Sequence, residues 1–215
     1  MIPRVVHRIW LGGPEPEWTQ PFADTWRLPG WNLRQWNEDS VASLFPLFNQ
    51  SLFDNPPDLT PNHLGQFRAD LLRYEILHRF GGVWVDTDLE CLRPIEPLID
   101  GHECFAAWEE QGRWIANGFM GAAPGHPFIG RLIDGIPASV RRNEGQRPNR
   151  LTGPQYLTRQ WRAHGRREMA VIEQRLVYPY GHREIADNGP GRDWGDAYCV
   201  HHWANARTRF GVPVG

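Results

Sequence analysis

ADLLRYEILHRFGGVWVDTDLE, residues 69–90, is the stretch that decides the fold of this chain. A helical run carrying Asp70 and Arg73 stops at Gly81-Gly82, and a hydrophobic strand then runs into Asp86-Thr87-Asp88. Thr60 suits an N-cap with Pro61 in the first helical position, and Gly81 suits the C-terminal stop. Leu64, Phe67, Leu71 and Tyr74 recur at helical period and predict an apolar stripe, widened by Leu72, Ile76 and Phe80. Asp70 and Arg73, three apart, share a helix face and read equally as an intrahelical ion pair. Val83-Trp84-Val85 is β-branched and aromatic, the mark of a buried strand. Alternation along that strand sends Trp84, Asp86 and Asp88 to one face and Val83, Val85 and Thr87 to the other.

Two carboxylates converging at a strand end suit a hard divalent cation, whose remaining coordination phosphate and water complete. Asp86 and Asp88 are therefore the expected metal ligands, for Mn2+ or Mg2+, and the ligand they imply is phosphorylated. Asp-x-Asp alone also describes two solvated acids at the start of a loop. The strand before it places the pair where an open α/β sheet forms its ligand crevice.

Outward from this stretch the elements alternate. Strands are expected at Val5 to Trp10, Asn32 to Trp36, and near 83–88, 104–108, 115–121, 170–179 and 197–203. Helices are expected around Pro21 to Arg27, at 38–48, in the main helix that starts at Pro61, and near 127–140 and 154–164. Asn49 to Pro61 reads as a loop, and the polar, basic stretch 141–153 as a mobile one. The pattern predicts an α/β fold with a mixed sheet, in one domain over residues 1–215.

The whole order of motifs resembles glycosyltransferase family 32 and the related sugar-transferring domains of clostridial glucosylating toxins. The resemblance opens at Ile2 to Gly13, is densest from Ala69 to Asp88, and continues through Asn117-Gly118-Phe119-Met120 and Pro124-Gly125-His126-Pro127. It then takes in Thr152-Gly153-Pro154 and closes at Val200-His201-His202-Trp203. It implies a GT-A-type, Rossmann-like fold that binds a nucleoside diphosphate sugar with a divalent metal and transfers the sugar with retention of configuration. By the same likeness Asp88 is the direct metal ligand, Asp86 bridges metal, ribose and sugar, and Asp70, Arg73 and Asn117 hold the donor sugar's hydroxyls. His201, the first histidine of its pair, is the third metal ligand. The chain departs from the family at Ala206-Arg207, where many relatives carry Ser-Trp.

Trp10 precedes Gly12-Gly13 at the end of the first strand and is expected to stack on the nucleotide base, with a core role as the alternative; Trp84 adds a ring beside the acids. The donor reads as UDP-linked rather than GDP-linked, and the acceptor is open. All 23 basic residues are arginine, which excludes Schiff-base chemistry and a P-loop, since both need a lysine amine. A dehalogenase-type phosphohydrolase shares the Asp-x-Asp, but it places threonine where this chain has Glu90 and needs the missing lysine. A non-catalytic sugar-binding module would use the 11 tryptophans without needing the carboxylate pair. Cys91, Cys104 and Cys199 are too scattered for a disulfide framework or a thiolate metal site. The formal charge of −2 gives no global drive toward nucleic acid or an anionic membrane. No apolar run reaches 18 residues, so a cytoplasmic location without a membrane span is expected.

Overall fold

A computed structural model describes residues 1–185 and 192–204. In chain order it contains β1 (Val5–Ile9), α1 (Gln20–Thr25), β2 (Asn32–Trp36), α2 (Glu38–Ala42), α3 (Gln50–Asp54), α4 (Pro61–Phe80), β3 (Gly82–Val85) and β4 (Leu89–Cys91). There follow α5 (Glu96–Ile99), β5 (Cys104–Glu110), β6 (Trp114–Ala122), α6 (Pro127–Arg142), α7 (Pro148–Leu151), α8 (Pro154–Gln160), β7 (Ala170–Ile172) and β8 (Cys199–His201). Six strands form one sheet in the order β2-β1-β3-β6-β5-β7. β1 is parallel to β2 and β3, β6 is antiparallel to β3 and β5, and β7 is parallel to β5. The sheet is mixed, as the alternation predicts. β4 and β8 form a separate antiparallel pair.

Both faces of the large sheet are covered. Trp84, Ala106 and Met120 point into a core with α4 and α6, while Val83, Val85, Phe105 and Phe119 point into a second core with Trp26. β3 is therefore apolar throughout, the composition of a strand buried on both faces. Gly82 lets it lie close beside β1: with φ +90°, a Cβ there would come within 2.5 Å of the Val5 carbonyl oxygen.

α4 departs from the simple stripe. Thr60 takes the N-cap position with Pro61 after it, though its side chain caps no backbone group. From Asp70 to Leu77 every residue is buried, including Asp70, Arg73 and Glu75. The helix is enclosed on all sides there, and its charged residues are paired: Arg73 with Asp70 and Asp86, Glu75 with Arg79. The expected helix over 38–48 ends at Ala42, the loop 49–61 contains α3, and the stretch 141–153 is ordered around α7. The strand expected over 170–179 ends at Ile172 and gives way to a short 3-10 turn, Gln174–Leu176. Among the described residues no helix is long and apolar enough to cross a membrane.

Candidate active site

β3 ends at Val85, so Asp86 and Asp88 do not share a strand face; Thr87-Asp88 is a turn that leads into β4. The sheet pairing reaches one residue further, because the Asp86 N–H donates to the Gly118 carbonyl at 2.9 Å. The turn is held from below by Arg8, which is buried and donates to the Thr87 carbonyl at 3.1 Å. The expected convergence of the two acids survives, but the turn and β8 produce it rather than strand alternation.

Each carboxylate has one oxygen committed to the protein. Asp86 Oδ1 accepts from Arg73 Nη2 at 3.0 Å and from Trp84 Nε1 at 3.1 Å. Asp88 Oδ2 accepts from the Ala204 N–H at 2.7 Å. The other oxygens face His201: Nε2 is 3.2 Å from Asp88 Oδ1 and 3.8 Å from Asp86 Oδ2. Burial disfavours the charge on Asp86, but Arg73 and the neighbouring His201 outweigh it and hold its carboxyl well below the usual range. Burial likewise works against protonated His201, and the charges of Asp88 and Asp86 outweigh it and raise its pKa.

The two carboxylate oxygens suit a divalent cation, whereas His201, expected as the third ligand, accepts at Nδ1 from the Trp203 N–H at 3.2 Å, so its Nε2 carries the proton and meets the acids as a donor. Among the described residues no group of three His, Cys, Asp or Glu side chains forms a ready-made cage. Two carboxylate oxygens with phosphate and water do not require one. His201 and His202 part company as strand geometry demands. His202 stacks on Phe22 with centroids 4.8 Å apart and meets Glu90 at 2.7 Å, away from the acids.

Behind Asp86 lies a buried polar network. Asp70 Oδ1 accepts from Asn117 Nδ2 at 2.7 Å, Asp70 Oδ2 accepts from Thr152 Oγ1 at 2.8 Å, and Arg73 lies 3.6 Å away. Arg73 also donates to the Asn117 carbonyl. Burial pushes Asp70 up to about 6, against the Arg73 charge and the two hydrogen bonds. Asp70, Arg73 and Asn117 thus bond to one another, to Thr152 and to Asp86, while Arg73 Nε is buried without a hydrogen-bond partner among the described residues. Trp84 is 1 % exposed and offers no open ring face; its indole N–H positions Asp86. The structure places these four residues underneath the site instead of at its surface.

Trp10 follows the end of β1 and is half-buried, with its ring edge-on to Trp18 at 6.1 Å. It is not part of the core. Three contributors are given no role in the sequence reading. Arg8 lies within the opening stretch Ile2 to Gly13, which marks the resemblance without assigning it a task. Tyr178, whose ring is 5.5 Å from His201, lies in a stretch expected to be strand. Gly118 approaches so closely that a Cβ on it would fall 2.6 Å from Asp86 Oδ2. Ala206 and Arg207 lie outside the described residues.

Residues 26–106 match the family model described as the glycosyltransferase sugar-binding region containing the DXD motif. Inositol phosphoceramide mannosyltransferase 3 of Schizosaccharomyces pombe is 26 % identical over 225 residues, covering 94 % of this chain and 60 % of that protein. This chain therefore spans less than two thirds of that relative. Among solved structures, PaToxG glycosyltransferase aligns with a TM-score of 0.61 at 15 % identity, over 75 % of this chain and 69 % of its own. A glycosyltransferase involved in glycosylating the major capsid of PBCV-1 aligns with a TM-score of 0.54 at 13 % identity, over 98 % of this chain and 100 % of its own. The mixed sheet and these alignments identify the fold as GT-A.

Proposed function

We propose that this chain, which resembles the D-x-D glycosyltransferases in sequence and has their fold, moves a sugar from a nucleoside diphosphate sugar to an acceptor, using Mn2+ or Mg2+. The observation that carries the reading is the convergence of two carboxylate oxygens, Asp86 Oδ2 and Asp88 Oδ1, on His201 where the central strand of the sheet ends. A bound cation would supply charge stabilisation to the diphosphate as it leaves.

Asp88 would hold the cation, Asp86 would share in that contact while facing the donor, and His201 would stand beside them as a hydrogen-bond donor through Nε2. Arg73 and Trp84 keep Asp86 ionised and fixed in orientation, and Asp70, Asn117 and Thr152 in turn hold Arg73. The network acts on the donor through Asp86, so its members are positioning residues in this reading. Retention of configuration follows if the departing phosphate oxygen takes the acceptor's proton on the face from which it leaves. The mannosyltransferase relative favours mannose as the sugar, and the choice between a UDP- and a GDP-linked donor falls to the donor series below.

The test is release of nucleoside diphosphate from UDP- and GDP-sugars, with Mn2+, with Mg2+ and with excess EDTA. Turnover is expected with one donor, to be lost in EDTA, and to fall by at least about 100-fold in Asp88→Ala. Full activity in EDTA, or in that variant, would overturn the metal assignment.

A further inference from the structure

The net charge of −2 conceals a strong segregation of charge. Residues 141–167 hold eight of the chain's 23 arginines and a single acid, Glu144. Arg141, Arg142, Arg147, Arg150, Arg159, Arg162, Arg166 and Arg167 are all exposed, and none of them forms an ion pair among the described residues. A preference for arginine over lysine explains the residue type but not this clustering.

The fold gathers Arg142, Arg150, Arg159, Arg162 and Arg166 together. Arg159, Arg162 and Arg166 follow one another at three- and four-residue intervals along α8 and the π-helical turn Trp161–Gly165 that extends it. Arg159 Nη2 donates to the Arg150 carbonyl at 2.8 Å, which brings α7 alongside. The Arg142 and Arg150 guanidinium groups are near enough to repel Arg159. Half-buried tryptophans border the arginines. Arg166 lies over the Trp161 ring at 5.3 Å, and Trp161 packs edge-on against Trp108 at 5.5 Å. Arg162 donates to the Gly112 and Arg113 carbonyls, so the β5–β6 turn, with Trp114 beyond it, joins the same surface.

We propose that this arginine face docks the protein on an anionic lipid bilayer. Clustered basic side chains gain favourable energy beside a negatively charged leaflet, and half-buried tryptophans suit the headgroup level. The Trp108–Trp161 pair is closed edge to face and offers no flat platform for stacking bases, which favours a bilayer over nucleic acid. α7 links the face to the buried network beneath the candidate site, since Thr152, which holds Asp70, directly follows Arg150 and Leu151.

Co-sedimentation of the full chain with vesicles tests this directly. Retention is expected on phosphatidylcholine vesicles containing phosphatidylserine, to be absent on phosphatidylcholine alone, and to weaken as salt is raised. Among the described residues the side chains of Arg141, Arg142 and Arg147 make no hydrogen bond, ion pair or ring contact, so Arg141→Gln/Arg142→Gln/Arg147→Gln should melt like wild type. At about fivefold per charge, its partition should fall roughly 100-fold. Equal retention on both vesicle types, or unchanged binding by the triple variant, would overturn the proposal. Tighter binding to a single-stranded oligonucleotide than to anionic vesicles at the same salt would also overturn it, in favour of nucleic acid. Vesicle binding needs no donor, so this surface stands or falls independently of the sugar-transfer reading.

Discussion

Arg73 lies 3.0 Å from Asp86, across the junction of helix and strand, and 3.6 Å from Asp70 on its own helix. The guanidinium therefore couples α4 to the end of β3 more closely than it pairs within the helix. Removing it leaves two partly enclosed carboxylates without their cation. Breaking a buried pair from one side typically costs about 3–5 kcal/mol. Arg73→Met should lose stability on that scale in urea denaturation. Asp70→Asn should unfold close to wild type at neutral pH, because it removes a charge that burial already disfavours. An Arg73→Met variant as stable as wild type would show that the network carries no such energy.

Gly118 sets the position of the same carboxylate from the other side. A Cβ there would press on Asp86 Oδ2 from 2.6 Å and approach the Tyr178 hydroxyl at 3.0 Å. Gly118→Ala should cost about 1–3 kcal/mol of stability as an overpacked site. Its larger effect should be on donor turnover, about 100-fold, since a displacement near 1 Å in a reacting site has that consequence. Thermal melting beside a donor-hydrolysis assay separates the two effects. Wild-type turnover in this variant would mean that Asp86 need not hold its orientation.

How much of this was legible differs from element to element. Val83-Trp84-Val85 and the Gly81-Gly82 stop announce a buried strand after a helix because composition and backbone freedom are local properties. The fate of Asp70 and Asn117 is not local. They meet across 47 residues through a 2.7 Å hydrogen bond, and neither sequence neighbourhood shows that the other will be there. The expectation that they face a sugar fails to anticipate that each satisfies the other. His201 turns toward the acids because Leu89 pairs with it in the β4–β8 ladder, a register fixed only on folding. Arg8 is unreadable for a different reason: its role is to hold a carbonyl, which no side-chain pattern encodes.

Acid should destabilise the protein through His7. Its Nδ1 accepts from Trp36 Nε1 at 3.1 Å, so Nε2 carries the proton and donates to the Gly81 carbonyl at 3.0 Å. Burial lowers its pKa from 6.5 to about 4 against the Gly81 hydrogen bond, with Arg34 assisting. Between those values the unfolded chain binds a proton that the folded chain refuses. Stability is therefore full above pH 6.5 and declines as pH falls toward 4, by about 3 kcal/mol in all. His7→Gln keeps one acceptor and one donor without a titrating group. The drop in urea midpoint between pH 7.5 and 4.5 should be smaller in that variant; an equal drop would place the acid sensitivity elsewhere.

Trp10 offers the most direct measure of nucleotide recognition. It stands immediately beyond β1, one strand over from the end of β3 that carries Asp86, and its half-buried ring is steadied edge-on by Trp18. The adjacent Gly12 and Gly13, both at positive φ, leave open space where side chains would otherwise stand. Stacking a base on an aromatic ring contributes about 1–3 kcal/mol and tolerates any base. Trp10→Ala should accordingly weaken nucleoside diphosphate binding roughly 5- to 150-fold while leaving the dependence on Mn2+ intact. Calorimetric titration with UDP and with GDP, each with Mn2+, measures the loss and identifies the preferred base in one series. Unchanged affinity in Trp10→Ala would return the ring to a packing role beside Trp18 and move the base site to another part of the crevice.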